Sequence, residues 1–556
     1  MNRYLATLIY LVAVPLAAAD LARPNILLLM AEDMSPRVGA FGDPVAVTPY
    51  LDALAKQGVR YTNAYTTAGV CAPSRAAHIL GMHQISTGTQ HMRSGTRPEG
   101  GYYSVPPAQV KAYPELLRGA GYYTFTDQKL DYQFSAVLPG SGPSTIWDAE
   151  GEASPDWRAR GRGQPFFGFR NFMITHESGV FRPLGTVPES GVHLAAQLLR
   201  WWRSDSPVRQ IVAPDAITVP PYYPDTATVR ADLARHYNNI AHMDAEIGRI
   251  LAQLKVDGLA DSTIVIWTTD HGDGLPRAKR ELYDSGIRVP MIIRWPEAYR
   301  PYGVAAGSLD SRLISFVDLG PTILQLAGVE VPSYMQGRDF ADPDSTPRKY
   351  VYAARDRIDE VPDRQRALRD HRFKYIRSWY PEQPGGHPLA FRDNIDMMRE
   401  MRALYEAGQL SPQQALWFEA PGKERLFDLQ ADPHELDDLS RIPAFGADLL
   451  RLRRELDAWL RRTGDWSEQS EAAMVARFKP DGERLQTPAP IITVRDGVLE
   501  IAAAAPEHSI EYSVNKGVWR LYSGPLTVTE KTTVEARAVR YGWEESQVSK
   551  YSGGTE

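Results

Sequence analysis

Two stretches of the chain are apolar without interruption and end on ligand-type polar residues. Asn25 to Met30 (NILLLM) reads as a strand buried on both faces and runs into Glu32-Asp33. Thr263 to Thr269 (TIVIWTT), rich in β-branched residues, runs into Asp270-His271. Between them Val229, Leu233, Tyr237, Ile240, Met243, Ile247, Leu251 and Leu254 follow steps of three and four, which predicts a helix with one apolar face. The preceding prolines and Asp225 mark its start. Helix, short Gly/Asp loop and buried strand make an αβ unit of a doubly wound fold, where sites collect beyond the carboxyl ends of the strands.

The pattern changes after about residue 350. FKYIRSWY (373–380) and ERLFDL (424–429) read as strands, and Pro443 to Leu460 as a Leu/Arg-rich helix, a smaller α+β unit. From Thr487 come short β-type runs separated by Gly, Asn and Pro, which predicts a small β-sandwich. The expected division is residues 1–19 as a signal peptide, 20–350 as an α/β domain, 351–466 as the α+β subdomain, 467–486 as a linker and 487–556 as the sandwich.

The leader carries Arg3, an apolar run from Leu5 to Leu16, and Ala17-Ala18-Ala19 before Asp20, the layout of a cleavable export signal. The run is shorter than the roughly 20 residues a spanning helix needs. The expectation is therefore a periplasmic or extracellular protein, free of the membrane after cleavage. A net charge of -6 without a dominant Lys/Arg cluster argues against nucleic acid as a partner. The chain has one cysteine, so no intrachain disulfide can form. A lone thiol in an oxidising compartment is either buried or used.

That cysteine opens Cys71-Ala72-Pro73-Ser74-Arg75. Pro73 suits the first turn of a helix, which places Cys71 where free N–H groups and the helix dipole favour an anion. Arg75 lies one turn along, on nearly the same face. A buried structural cysteine remains the alternative on these residues alone.

C-A-P-S-R resembles the C-x-P-S-R signature of type I, formylglycine-dependent sulfatases. Other segments follow in the family's order. They are Arg23-Pro24-Asn25 with Ala31-Glu32-Asp33, Thr48 to Ala55 (TPYLDALA), Asp270-His271-Gly272, Leu282 to Pro290 (LYDSGIRVP), and Leu426-Phe427-Asp428-Leu429 with Asp432-Pro433-His434-Glu435. The likeness spans about residues 22 to 465 and looks closest to bacterial N-sulfoglucosamine sulfohydrolase-like and polysaccharide sulfatases.

The resemblance implies an alkaline-phosphatase-like α/β fold with a large mixed, mostly parallel sheet flanked by helices. It implies that a maturation enzyme converts Cys71 to formylglycine, the nucleophile. Carried over residue by residue, Glu32, Asp33, Asp270 and His271, with an oxygen of modified Cys71, hold Ca²⁺, with Mg²⁺ the alternative. Arg75, Lys129 and Lys279 contact the sulfate, and His176 is the general acid. Two departures stand out. The family has Asp where Glu32 stands, and K-W-H where this chain has Lys129-Leu130-Asp131. Either Asp131 faces the site or the alcohol end of the substrate is held differently. His91, Arg93 and Arg357 are candidates for binding the sugar. The expected reaction is sulfate-ester hydrolysis on a sulfated carbohydrate. The alternatives are sulfamate hydrolysis, phospho- or phosphonate-monoester hydrolysis on the same fold, and a non-catalytic carbohydrate-binding protein. The tail also resembles the small sandwich at the C-terminus of chitobiase-like enzymes.

Overall fold

A computed structural model describes residues 22–95, 97, 100–151, 156–181, 209–342 and 344–554, with isolated positions between 191 and 198. The expected signal peptide lies outside the described residues. No described helix is long and apolar enough to cross a membrane.

The main sheet has nine strands: β1 (Asn25–Ala31), β2 (Val59–Tyr65), β3 (Tyr123–Thr126), β4 (Ala149–Glu150), β5 (Phe166–Phe172), β6 (Thr263–Thr269), β7 (Arg288–Arg294), β8 (Leu309–Asp310) and β9 (Ile314–Ser315). Their order is β4-β3-β5-β1-β6-β7-β2-β8, with β9 also on β2, and every pairing is parallel except the two that β7 makes. β1 is central and buried along its whole length. Because strand side chains alternate between faces, Leu27, Leu29 and Ala31 join one core with Ile240, Met243 and Ile247 of the helix Ala227–Val256. Ile26, Leu28 and Met30 join the opposite core, with Ile79 and Leu80 of the helix Cys71–Leu80 and Leu319 and Ile323 of the helix Leu319–Leu326. A strand buried on both faces needs this unbroken apolar run.

The long helix begins one residue later than Asp225 suggested. Thr226 is its cap, accepting the Val229 N–H at 3.2 Å, while Asp225 is committed to Arg230. The helix expected from Pro443 forms as a single 3₁₀ turn, Pro443–Phe445, followed by the helix Gly446–Thr463.

A second, antiparallel sheet joins β10 (Val351–Arg355), β11 (Gln365–Arg369), β12 (Phe373–Ser378) and β13 (Glu424–Asp428) in sequence order. Helix Gly446–Thr463 covers it through Leu452, Leu456 and Trp459. The 467–486 stretch, expected as a linker, carries the helix Glu471–Phe478, whose Met474 and Phe478 are buried with Tyr102. In the tail, β14 (Ile491–Arg495), β15 (Val498–Ala502) and β18 (Leu526–Thr527) form one sheet. β16 (Ser509–Val514), β17 (Arg520–Leu521), β19 (Thr533–Val539) and β20 (Ser549–Ser552) form another, and both contribute to one small core. The tail is tied to the main domain by Arg118–Glu511 (2.7 Å) and by Tyr541, which donates to Glu115 at 2.6 Å and stacks on Phe134.

Candidate active site

The parallel register aligns Ala31 with Thr269, so the residues that follow β1 and β6 emerge side by side. Asp270 donates its N–H to the Ala31 carbonyl at 3.0 Å, and the Asp33 N–H returns to Asp270 Oδ1 at 3.0 Å. Asp33 takes a left-handed conformation (φ 49°), which turns its carboxylate across the strand ends. There it accepts the Glu177 N–H at 2.7 Å. Gly274 passes so close that a Cβ there would lie 2.9 Å from Asp33 Oδ2.

Cys71 is the first residue of its helix and is fully buried. Its Sγ is 3.3 Å from His271 Nε2 and 3.8 Å from a carboxylate oxygen of both Glu32 and Asp33. The helix is anchored to the β6 end by Ser74, which donates to the Asp270 carbonyl at 2.6 Å. The sheet ends and the helix N-terminus therefore converge on one sulfur.

Three cations surround it. Lys279 Nζ lies 2.6 Å from Asp33 Oδ2, 2.9 Å from Glu177 and 3.2 Å from His176 Nε2. Lys129 pairs with Glu32. Arg75 pairs with Glu32 at 3.1 Å and donates to Asn171 Oδ1 at 2.6 Å and to the carbonyls of Leu130 and Lys129. Its donors are thus engaged within the protein. The guanidinium fixes the loop that carries Lys129 and brings its charge to Glu32. Burial would raise the Glu32 carboxyl, but Lys129 and Arg75 outweigh it and hold it at about 2. Burial also opposes the Asp33 charge, yet Lys279 and the two histidines keep it well below the carboxylate range. Burial, then Glu32, pushes Asp270 up to about 6. His271, 3.7 Å away, and Lys129 favour the Asp270 charge but are outweighed. His176 is pushed down to about 4 by burial and by Lys279.

The donor set fits a divalent cation. His271 donates Nδ1–H to the Gly272 carbonyl at 3.0 Å, and its Nε2 lies 3.0 Å from Asp33 Oδ1. Burial opposes a charge on the ring, but Asp270 and Asp33 outweigh it and raise its pKa well above the ordinary value, holding on Nε2 a proton that a cation would replace. Asp270 Oδ2 is buried with no hydrogen-bond partner among the described residues. A cation displacing that proton would satisfy the imidazole nitrogen and the orphaned carboxylate oxygen together, and the carboxylate-rich donor set suits a hard one. One ligand atom from each of Asp33, Cys71, Asp270 and His271 lies within 4.8 Å of the others, and the same holds for Glu32, Asp33, Cys71 and His176.

Arg93 faces this centre from the other side, with one long contact to Asp131 (3.4 Å), which itself lies 3.8 Å from Lys129. His91 is buried beside Gln90, within electrostatic reach of Glu471 and Arg357. Arg357 is fully engaged: it holds Glu471 through two bonds (2.7 and 2.8 Å) and donates to the carbonyls of Met92 and Asp359. Sequence reasoning missed Glu177, Arg280 and the role of Asn171. Glu177 takes a two-pronged pair from Arg280 (2.8 and 2.9 Å) while meeting Lys279. For Glu177 and Arg280 the signal was adjacency, since they follow His176 and Lys279.

The sheet order, the strand-end carboxylates and the cysteine at a helix N-terminus define an alkaline-phosphatase-like hydrolase fold. The family described as Sulfatase matches residues 24–329, and the family described as N-sulphoglucosamine sulphohydrolase, C-terminal, matches 277–416. This chain belongs to the sulfatase family and is a sulfatase. It is 40% identical to an ulvan-active sulfatase of Formosa agariphila, over 95% of this chain and 91% of that one. It is 26% identical to human N-sulphoglucosamine sulphohydrolase, over 84% of this chain and 95% of that one. A solved structure in complex with its substrate D-glucosamine-2-N,6-O-disulfate has the same fold, with a TM-score of 0.53 at 18% identity, covering 79% of this chain and 98% of that one.

Proposed function

We propose that this sulfatase removes ester sulfate from a sulfated polysaccharide of the ulvan type, or from oligosaccharides derived from it, after conversion of Cys71 to formylglycine. The observation that carries the reading is the placement of Cys71 Sγ against Glu32, Asp33 and His271 with Lys129 and Lys279 beside them. The ulvan-active relative's 40% identity over nearly the whole chain supports the substrate class. Matured Cys71 supplies the hydroxyl nucleophile of covalent catalysis. Glu32, Asp33, Asp270 and His271 would hold Ca²⁺ or Mg²⁺, which when bound neutralises sulfate charge and lowers the pKa of a coordinated hydroxyl.

The chain's own residues do the rest. Lys129 and Lys279 turn their ammonium groups toward the sulfate and orient it over the position of Cys71. Arg75 positions Glu32 and the Lys129 loop. His176 Nε2, beside Lys279, passes a proton to the departing sugar oxygen. A bound sulfate offsets the Lys279 charge and raises the imidazole toward the range in which it can hold that proton. Arg93, with one long contact to Asp131, is the group left to meet the sugar. The protein acts after export, and its other partner is the enzyme that oxidises Cys71.

A second reading, sulfamate hydrolysis, is favoured by the match of residues 277–416 to the N-sulphoglucosamine sulphohydrolase C-terminal family. The experiment combines peptide mass spectrometry across Cys71 with sulfate release. A loss of about 18 Da at Cys71 is the mass of thiol-to-aldehyde conversion. Sulfate release from ulvan oligosaccharides but not from N-sulfated glucosamine supports the ester reading, and the reverse supports the second. An unmodified thiol in every copy of active enzyme, or phosphate ester turnover in preference to sulfate, overturns both.

A further inference from the structure

Beyond the carboxyl end of the nucleophile helix, about 15 Å of helix away from Cys71, lies a second concave site, a cleft of about 550 Å³. One wall is the 336–350 segment and the other is the helix Gly446–Thr463. Four cations line it, Arg338, Arg348, Lys349 and Arg462, against the single carboxylate of Glu455. This is a local excess of positive charge on a chain whose net charge is -6. Arg348 is held by buried Asp318, and Arg462 by Glu455 and the Tyr352 hydroxyl. The other two are not neutralised. Arg338 gives one side-chain hydrogen bond, to the Thr346 carbonyl, and Lys349 has no ion-pair or hydrogen-bond partner among the described residues.

The floor is aromatic. Tyr352 and Trp459 stack at 4.7 Å with rings within 6° of parallel, and His83 meets both edge-on. His83 is 5% exposed, lines the cleft, and neither of its ring nitrogens has a hydrogen-bond partner among the described residues. Buried polar atoms are ordinarily satisfied, so an imidazole left open toward a cleft marks a place for a ligand hydroxyl or oxyanion. Uncompensated cations over a polar-edged aromatic floor match the chemistry of an anionic sugar chain: Arg and Lys for sulfate or carboxylate oxygens, and ring edges and His83 for hydroxyls. The volume lies within the range of sites that hold small ligands.

We propose that this cleft is a secondary binding site for a sulfated or carboxylated stretch of polysaccharide, distinct from the catalytic pocket. It rests on the proposed carbohydrate substrate. By tethering the polymer it raises the local concentration of chain near the active site.

The test uses the full chain with Cys71→Ala for binding and the matured enzyme for turnover. Electrophoretic retardation is measured in gels containing ulvan, with uncharged dextran as the blank. Arg338→Glu with Lys349→Glu is expected to weaken ulvan retention about ten-fold or more. The same pair should raise KM for the polymer while leaving sulfate release from a short oligosaccharide unchanged. Lys516→Glu with Lys531→Glu, exposed cations on the tail, should leave both as they are. Unaltered retention in the cleft variant overturns the proposal. So does an equal loss in the tail variant, which would mean diffuse charge attraction, and so does capture of inorganic sulfate without retention of ulvan. If no substrate yields sulfate, the functional reading fails, yet the binding arm on Cys71→Ala still decides the cleft.

Discussion

Glu471 holds Arg357 in a two-pronged pair (2.7 and 2.8 Å), and through it reaches the backbone beside the nucleophile. Arg357 donates to the Met92 carbonyl at 2.9 Å, and Met92 packs with Val70, Cys71 and Ala72. Arg93 follows Met92 directly. The helix Glu471–Phe478 is therefore coupled to the Arg93 side of the site, although no residue of it touches Cys71 in that cluster.

Glu471→Gln keeps the shape but leaves a buried guanidinium short of its counter-charge. Losing one partner of a buried pair costs about 3 kcal/mol. The expected kinetic signature is a KM several-fold higher with kcat little changed, because the sugar contact moves and the reacting groups do not. Steady-state kinetics with a thermal melt check this. An equal fall in kcat would assign Glu471 to the chemistry instead.

Removal of divalent cations leaves Glu32, Asp33 and Asp270 crowded together in a buried site. Chelation is expected to abolish sulfate release and lower Tm, and calcium to restore both. A cation at a hundred times its Kd stabilises by about 2.7 kcal/mol. Asp270→Asn should blunt the calcium-induced rise in Tm, measured by scanning calorimetry. A rise equal to that of the parent protein would remove Asp270 from the ligand set.

Gly274→Ala adds one carbon 2.9 Å from Asp33 Oδ2 and 3.0 Å from the Glu177 backbone. Both neighbours are held, Asp33 by Lys279 and Glu177 by Arg280, so the carboxylate must shift. The enzyme is expected to fold, with an unaltered far-UV spectrum, and to lose more than about ten-fold in kcat/KM, since small displacements of reacting groups are costly.

Asp232 tests the electrostatics away from the site. It is fully buried on the long helix, accepting the Met397 N–H at 2.7 Å and pairing with Arg235. Burial outweighs these partners and raises its carboxyl to about 6. The folded state thus binds this proton more tightly than the unfolded chain. The Asp232 contribution to stability is complete below about pH 4 and is lost as pH rises through about 6. Asp232→Asn keeps an acceptor for Met397 without the titration. The Tm of the variant relative to the parent should therefore be higher at about pH 7 than at about pH 4. A difference independent of pH would refute the raised pKa.

The sequence alone determined what depends on local pattern. Largely apolar runs marked β1 and β6 because a strand covered on both faces admits only polar groups that find a partner, as the β6 threonines do on the Leu259, Pro290 and Met34 carbonyls. The 3.6-residue period marked the long helix, and C-A-P-S-R with Pro73 placed Cys71 at a helix start. The polar residues after each strand were legible as candidate ligands because strand ends are where an open α/β sheet exposes its chemistry. Tertiary structure decided which side chains meet. Glu177 and Arg280 adjoin His176 and Lys279 in the chain, but only the fold pairs them with each other. Arg357 read as a candidate for binding the sugar, and the fold instead commits it to Glu471. Asp225 lost the cap to Thr226 once Arg230 claimed its carboxylate. The cleft floored by Tyr352 and Trp459 draws together residues more than a hundred positions apart. Period and propensity act over a few residues, whereas ion pairing and burial act between whichever residues the sheet register delivers to the same place.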